Sequence, residues 1–273
     1  IALAMLVGLV MLVPATADEP ALAEKPKVLE FGEVVEDLSG PGPNGETVTL
    51  STMQIDKAKA EAAVLEAAKA YANGKPVTLA TMVGSLEGVM DEGEVDELLV
   101  KEMVAKAGQP FGLTVNDGRL ERVKTLADVA AWILASKDSP ILVMIWSPRC
   151  PMCKGIYVER VVEVLGETGV RLLVVAGSYP DKAEHINAYL DENGYAWKVI
   201  LDPEQKIVDR LGGKKTPHLF LFDKNLKLHY RGGVDDDPRG NKTDDERQDW
   251  FMSAIEAVVE GRDVEVTDTQ PPG

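Results

Sequence analysis

The sequence predicts an α/β fold: a central mixed sheet with helices on both faces, preceded by an N-terminal α+β addition. Three observations point there. From Pro140 onward, short apolar runs bounded by turn residues alternate with helix-length amphipathic segments, the pattern of strands joined by crossover helices and hence of parallel pairs. The runs His218 to Phe222 and Lys227 to Arg231 flank the turn Asp223-Lys224-Asn225, which adds antiparallel strands at one edge. The 273 residues leave room for one domain with a large addition or for two small domains.

Taken in order, residues 18 to 27 are rich in Ala, Pro, Glu and Lys without periodicity and read as a linker. Val28 to Val35 and Glu46 to Leu50 are strand-like and flank the turn formers Ser39 to Gly45, predicting a hairpin or two irregular strands. Asp56 to Ala72 is a helix by its Ala and Glu content, with Gly74 and Pro76 as stop signals. A second helix is expected over Glu94 to Ala107, with Leu98, Leu99 and Met103 inward and Gly108 closing it. Phe111 to Val115 and Arg119 to Val123 around Asn116-Asp117-Gly118 predict a β-hairpin, because Asp-Gly accepts the positive φ of a tight turn. Thr125 is the cap expected for a helix over Leu126 to Ser136. Then come strand Pro140 to Trp146, helix Pro151 to Gly166, strand Val170 to Ala176, helix Asp181 to Glu192 and strand Trp197 to Leu201. A short helix Glu204 to Leu211, the hairpin, and a last helix Thr243 to Glu260 complete the order. The domains expected are therefore 28 to 108 for the addition, 109 to 262 for the α/β domain and 263 to 273 for an extended, unstructured tail.

Ile1 to Val13 is apolar and is followed by Pro14-Ala15-Thr16-Ala17. That reads as a secretory signal peptide over residues 1 to 17, with Ala15 and Ala17 as the small-residue cleavage site. An initiating Met and a basic leading region are missing, so the chain is expected to be a fragment; a retained membrane anchor is the competing reading. Either way the protein is expected to be exported, periplasmic or extracellular. The net charge of -16 argues against nucleic acid and anionic membrane partners, whose phosphates repel it.

The two cysteines are Cys150 and Cys153, separated by Pro151-Met152 and placed directly after the apolar run ending at Trp146. At a helix start, the first sulfur of such a pair sits over backbone N-H groups that favour thiolate, and the second lies one turn away. A zinc half-site is the competing reading, but the three histidines, His185, His218 and His229, lack finger-type spacing. A lone C-x-x-C beside a βαβ pattern reads as a redox dithiol.

Ile141 to Lys154, containing Trp146-Ser147-Pro148-Arg149-Cys150-Pro151-Met152-Cys153, resembles the active-site segment of the thioredoxin-like superfamily, and Lys215-Thr216-Pro217-His218 resembles its second signature. The segment Leu228 to Asp236 is similar to the redoxin branch: exported thiol-disulfide oxidoreductases and relatives of alkyl hydroperoxide reductase. The resemblance covers about Gln109 to Arg262. It implies a nucleophile at Cys150, a resolving thiol at Cys153, a cis peptide at Thr216-Pro217, and substrate contacts at Trp146, Pro151, Thr216 and Pro217. It implies protein thiols and disulfides as partners, together with an unidentified redox partner, and no cofactor.

Two departures from the family pattern stand out. Met144 occupies the position of the buried acid that takes the resolving thiol's proton, so proton handling must differ, through water or another carboxylate. Val143 replaces the proline of the peroxidatic motif, although Ser147 keeps its hydroxyl position and Arg149 adjoins Cys150, so thiol peroxidase activity is an alternative. A copper site built from Cys150, Cys153 and His218 is another, since two thiolates and an imidazole suit that metal. A redox-inert scaffold with a stapling disulfide is a further reading. Asp235-Asp236-Asp237 and Asp244-Asp245-Glu246 lack EF-hand order and read as a solvated acidic loop. Trp197 is expected in the core or the site floor, and Trp132 and Trp250 in helix packing.

Overall fold

From Pro140 onward the strands fall where the sequence expects them, and their pairing builds one five-stranded sheet. A computed structural model describes residues 26–90, 95–115, 120–178 and 181–272. The proposed signal peptide, most of the linker and the turn Asn116-Asp117-Gly118 lie outside the described residues. The strands are β3 (Ile141–Ile145), β4 (Arg171–Ala176), β5 (Lys198–Leu201), β6 (His218–Phe222) and β7 (Leu228–Gly232); β1 (Ser39–Pro41) and β2 (Thr47–Thr49) form a separate small hairpin. The sheet order is β5-β4-β3-β6-β7, parallel between β3, β4 and β5 and antiparallel from β3 to β6 and β7. β3 and β4 are buried at every position, as expected of strands covered on both faces.

The helices are α1 (Lys57–Tyr71), α2 (Glu97–Gly108), α3 (Leu126–Ala135), α4 (Ile156–Thr168), α5 (Ala183–Asn193), α6 (Lys206–Leu211) and α7 (Trp250–Glu260). Their starts obey capping chemistry. Asp56 accepts the Lys59 N-H at 2.7 Å and Asp96 the Leu98 N-H at 3.0 Å. Thr125 and Asp128 bond each other's backbone N-H groups in a reciprocal box. Each such cap contributes about 1 kcal/mol. Among the described residues no helix is long and apolar enough to cross a membrane.

Three cores result. On one face of the sheet, Leu142, Met144 and Trp146 pack with α4, α5 and α7. On the other, Ile141, Val143 and Ile145 pack with α6 and with Leu29, Val35, Leu38, Val48, Leu50 and Met53. The third joins α1, α2 and α3 through Val64, Val104, Leu126 and Ile133. The boundary expected at 108/109 is therefore crossed in both directions: residues 29 to 53 belong to the sheet's core, and α3 belongs with the helices of the addition. The buried Arg171 guanidinium, donating to the carbonyls of Met53 and Ser139, ties these parts together.

Several expectations need correcting. Val28 to Val35 forms no strand of its own; it runs beside β7, with Gly32 N-H donating to Leu228 O at 2.9 Å and Leu228 N-H to Glu33 O at 3.1 Å. The strand expected at Phe111 to Val115 is also absent. Gly112 adopts φ 62, and a side chain there would strike the Leu172 carbonyl, whose own N-H donates to Gly112 O at 2.8 Å; only glycine permits that approach. Leu98 is exposed, because the buried stripe of α2 runs through Val100, Met103, Val104 and Ala107. The tail is extended but ordered: Thr267 and Thr269 bond the backbone of Arg231, and Tyr230 Oη meets Thr269 Oγ1 at 2.7 Å.

Candidate active site

Trp146 N-H donates to Val175 O at 3.0 Å, extending the β3 to β4 pairing by one residue before the chain turns away. Cys150 N-H then donates to Ser147 O at 3.2 Å and Cys153 N-H to Cys150 O at 3.0 Å. These successive turns bring both sulfurs to the C-terminal end of β3, outside the sheet, where open α/β sheets place their sites. The segment Pro151–Cys153 is a short 3-10 turn, and Gly155 at φ 64 separates it from α4. The dithiol is thus not the first turn of a long helix as the sequence suggested; the positive φ that glycine supplies ends one helical piece and starts the next.

Both thiols are free. Cys150 is half-buried, and its Sγ donates to Thr216 O at 3.1 Å; the Thr216-Pro217 peptide is cis. Cys153 is fully buried. Burial pushes its thiol far above the ordinary range, a backbone hydrogen bond from Ser147 pulls it back, and the neighbouring Cys150 sulfur adds to the rise. One sulfur is therefore open to a second molecule, and its neighbour is held protonated behind it.

An aromatic wall fixes this corner. Trp146 Nε1 donates to Cys153 O at 3.0 Å, and its ring meets Tyr189 at 4.9 Å and, edge-on, Trp197 at 5.7 Å. Tyr195 stacks on Trp197 at 4.3 Å. Trp146 and Trp197 are both buried in the core beside the dithiol. Tyr189 and Tyr195 are site residues that the sequence reading does not single out.

With Met144 wholly buried in place of an acid, the carboxyl group nearest this loop comes from another segment. Ser147 Oγ donates to Asp181 Oδ1 at 3.0 Å and accepts the Arg149 N-H at 3.2 Å. Burial raises the Asp181 carboxyl, while the Ser147 hydrogen bond and the Arg149 charge oppose the rise. The Ser147 hydroxyl, the group that fits the peroxidatic motif, is thus engaged by Asp181.

Pro151 is exposed, Thr216 half-buried and Pro217 buried, so all four expected substrate contacts cluster at the dithiol. His218 does not. It continues the β6 face of Phe220 and Phe222, with its ring 4.4 Å from Phe220, whereas Cys153 lies in the core on the opposite face. Alternation along the strand puts the sheet between imidazole and sulfurs, and the three do not form one ligand set. Among the described residues no group of three or more His, Cys, Asp or Glu side chains is arranged to hold a metal ion.

The acidic loop is solvated only in its second half, where Asp244, Asp245 and Glu246 are exposed. Asp235 and Asp237 are buried, with Arg160 of α4 2.7 Å from Asp235 Oδ2 and donating to Asp237 O at 2.6 Å. Tyr157 Oη accepts the Val234 N-H at 2.9 Å beside them. The cation that buries these acids lies 75 residues earlier in the chain, which is why their own neighbourhood did not reveal it.

Residues 116–247 match the model of the Redoxin family. No curated protein matches the chain. Among solved structures, a hypothetical protein from Sinorhizobium meliloti is similar at 16% identity and TM-score 0.51, covering 90% of this chain and 93% of its own; the fold is therefore shared with the N-terminal addition included. A putative thiol:disulfide interchange protein DsbE from Chlorobium tepidum is similar at 14% identity and TM-score 0.37, over 74% of this chain and 84% of its own. A secreted Mycobacterium tuberculosis disulfide oxidoreductase is similar at 14% identity and TM-score 0.33, over 46% and 86%. The mixed sheet and the dithiol at the end of β3 both fall within the segment that is similar to the Redoxin family.

Proposed function

We propose that the protein is an exported thiol-disulfide oxidoreductase that exchanges disulfides with protein substrates through Cys150 and Cys153. The observation that carries this reading is the unequal pair: a half-exposed Cys150 against the Thr216 carbonyl, and a fully buried Cys153 directly behind it. The apolar segment Ile1 to Val13 with its Ala15 and Ala17 pattern supports export.

Cys150, as thiolate, attacks one sulfur of a substrate disulfide. A mixed disulfide forms, and the other substrate sulfur leaves as thiolate and takes up a proton. Cys153 then loses its proton and attacks Cys150 Sγ. The Cys150-Cys153 bond forms, and the second substrate sulfur departs as a thiol. Two electrons and two protons have passed from the dithiol to the substrate, and a second dithiol-disulfide couple restores the starting state. The same steps reversed deliver a disulfide to a reduced substrate. Because burial keeps Cys153 protonated, the first attack belongs to Cys150. Exposed Pro151 and half-buried Thr216 frame the sulfurs on the side a substrate approaches, with Trp146 and Pro217 buried behind them.

Cys153→Ala should trap the intermediate: on incubation with a disulfide-containing protein, a covalent adduct at Cys150 accumulates and is released by dithiothreitol, as read by intact mass. If Cys150 in that variant remains alkylatable yet forms no adduct with any reducible substrate, the mechanism is wrong.

A further inference from the structure

The mouth of the dithiol runs against the charge of the whole molecule. The chain carries 45 acidic and 29 basic side chains, yet the residues flanking the sulfurs and the Thr216 carbonyl are cationic: Arg149 before Cys150, Lys154 after Cys153, and Lys214 and Lys215 before Thr216. All four are exposed. Lys154 Nζ lies 5.7 Å from the centre of the Tyr189 ring, and Tyr189 Oη is 3.5 Å from Cys153 O. Lys214 N-H donates to His218 Nδ1 at 3.3 Å, which anchors its backbone beside the second motif. Among the described residues no carboxylate forms an ion pair with Arg149, Lys154 or Lys214, whereas Lys27, Arg160, Arg247 and Arg262 elsewhere all do. Asp181, the carboxylate by this loop, is turned onto the Ser147 hydroxyl.

Exposed cations gathered at the mouth of an otherwise acidic protein favour an anionic visitor. They draw negative charge to the one place where a sulfur is open, and leave the rest of the surface repelling it. We infer that the substrate of this dithiol is a polypeptide whose disulfide is flanked by aspartate and glutamate side chains, held by Arg149, Lys154 and Lys214 while Cys150 attacks. The inference rests on the exchange reading above and specifies its substrate class.

The test uses the full chain and two matched peptides, each with one disulfide, one flanked by glutamates and the other by lysines. In about 0.01 M salt, where charges act over roughly 30 Å, kcat/KM for the acidic peptide should exceed that for the basic one by about tenfold. The ratio should fall toward one in about 1 M salt, where screening confines charges to roughly 3 Å, and should reverse in Lys154→Glu/Lys214→Glu. Comparing the two peptides within one enzyme cancels any change in intrinsic thiol reactivity. If the double variant does not fold, the wild-type ratio and its salt dependence decide alone. A ratio near one at low salt, with both peptides turned over, overturns the inference and leaves exchange standing. No exchange with either peptide or with a small uncharged disulfide overturns both.

Discussion

The two faces of the sheet are held by different physics. On the dithiol face, buried polar groups make directed bonds: Arg160 to Asp235 and to the Asp237 carbonyl, Tyr157 Oη to Val234 N-H, Trp146 Nε1 to Cys153 O. On the far face, Leu29, Leu50, Met53, Ile145, Phe220 and Phe222 pack as aliphatic and aromatic bulk, with Arg171 bonded to the Met53 carbonyl at its edge and His218 leaving its Nε2 without a partner. Packing tolerates rearrangement among similar volumes; a hydrogen bond fixes direction and distance. The reactive corner is located by the second kind of contact and supported from behind by the first. The far face is also where the N-terminal segment inserts, so the addition stabilises the sheet without reaching the sulfurs.

The largest expected effect breaks the polar side. Arg160→Ala leaves buried Asp235 with only the more distant Arg247, 3.6 Å away, and removing one partner of a buried pair costs about 3–5 kcal/mol. Urea unfolding should show that loss. Proteolysis should then loosen the loop after β7, which Arg160 ties to α4 alongside the Tyr157 to Val234 hydrogen bond. Replacing Arg160 by Met together with Asp235 by Leu should restore most of the stability, since a buried ion pair exchanged for apolar volume is often neutral. A single Arg160→Ala cost below about 1 kcal/mol would mean that water already solvates the pair, and the contrast between the faces would fail.

This contrast also separates what was legible in the sequence from what was not. β3, β4 and β6 were readable because each is a short apolar run between turn signals, and the dithiol and Thr216-Pro217 were readable as local motifs. Nothing local marks Asp235 as buried: its partner stands on another helix, and a triad of aspartates beside Pro and Gly looks solvated by composition. The hairpin expected at Phe111 failed for a similar reason, since Gly112 answers to the Leu172 backbone on β4. Asp181 was read as the start of α5 and is instead bonded to Ser147, a contact made by β4 returning beside β3. His218 is a different case. Strand alternation, with Phe220 and Phe222 on its side and Leu219 and Leu221 opposite, already separated it from the sulfurs.

A pH titration sharpens the far face. Burial, with the Lys214 charge assisting, lowers His218 from 6.5 to about 4. An unfolded histidine takes up its proton near pH 6.5, while the folded one refuses it until about pH 4, so more protons bind the unfolded chain across that window. The stability that the neutral ring contributes is complete above pH 6.5 and falls as pH drops toward 4. The loss approaches about 3 kcal/mol, at about 1.4 kcal/mol for each pKa unit. His218→Gln removes the titration, so its stability should change less between pH 7 and pH 4 than that of the wild type. Identical slopes for the two proteins would show that the ring is already hydrated.

The smallest expected effect lies on the polar face, at Ser147. Its hydroxyl both donates to Asp181 and accepts from Arg149 N-H, so Ser147→Ala removes two partners while leaving the sulfurs in place. A net cost of about 1 kcal/mol follows from an ordinary hydrogen bond, and the exposed part of Asp181 holds it near that value. Asp181→Asn keeps an acceptor for Ser147 and removes the charge, so it should cost less than Ser147→Ala if the bond is what orders this turn. The matching readout is the rate at which Cys153 closes on Cys150 after attack: slowed in Ser147→Ala and near wild type in Asp181→Asn. If Asp181→Asn instead slows closure while Ser147→Ala does not, the carboxylate acts as the proton acceptor that Met144 cannot be. Directed bonding would then position the acid, and the acid would serve the resolving thiol.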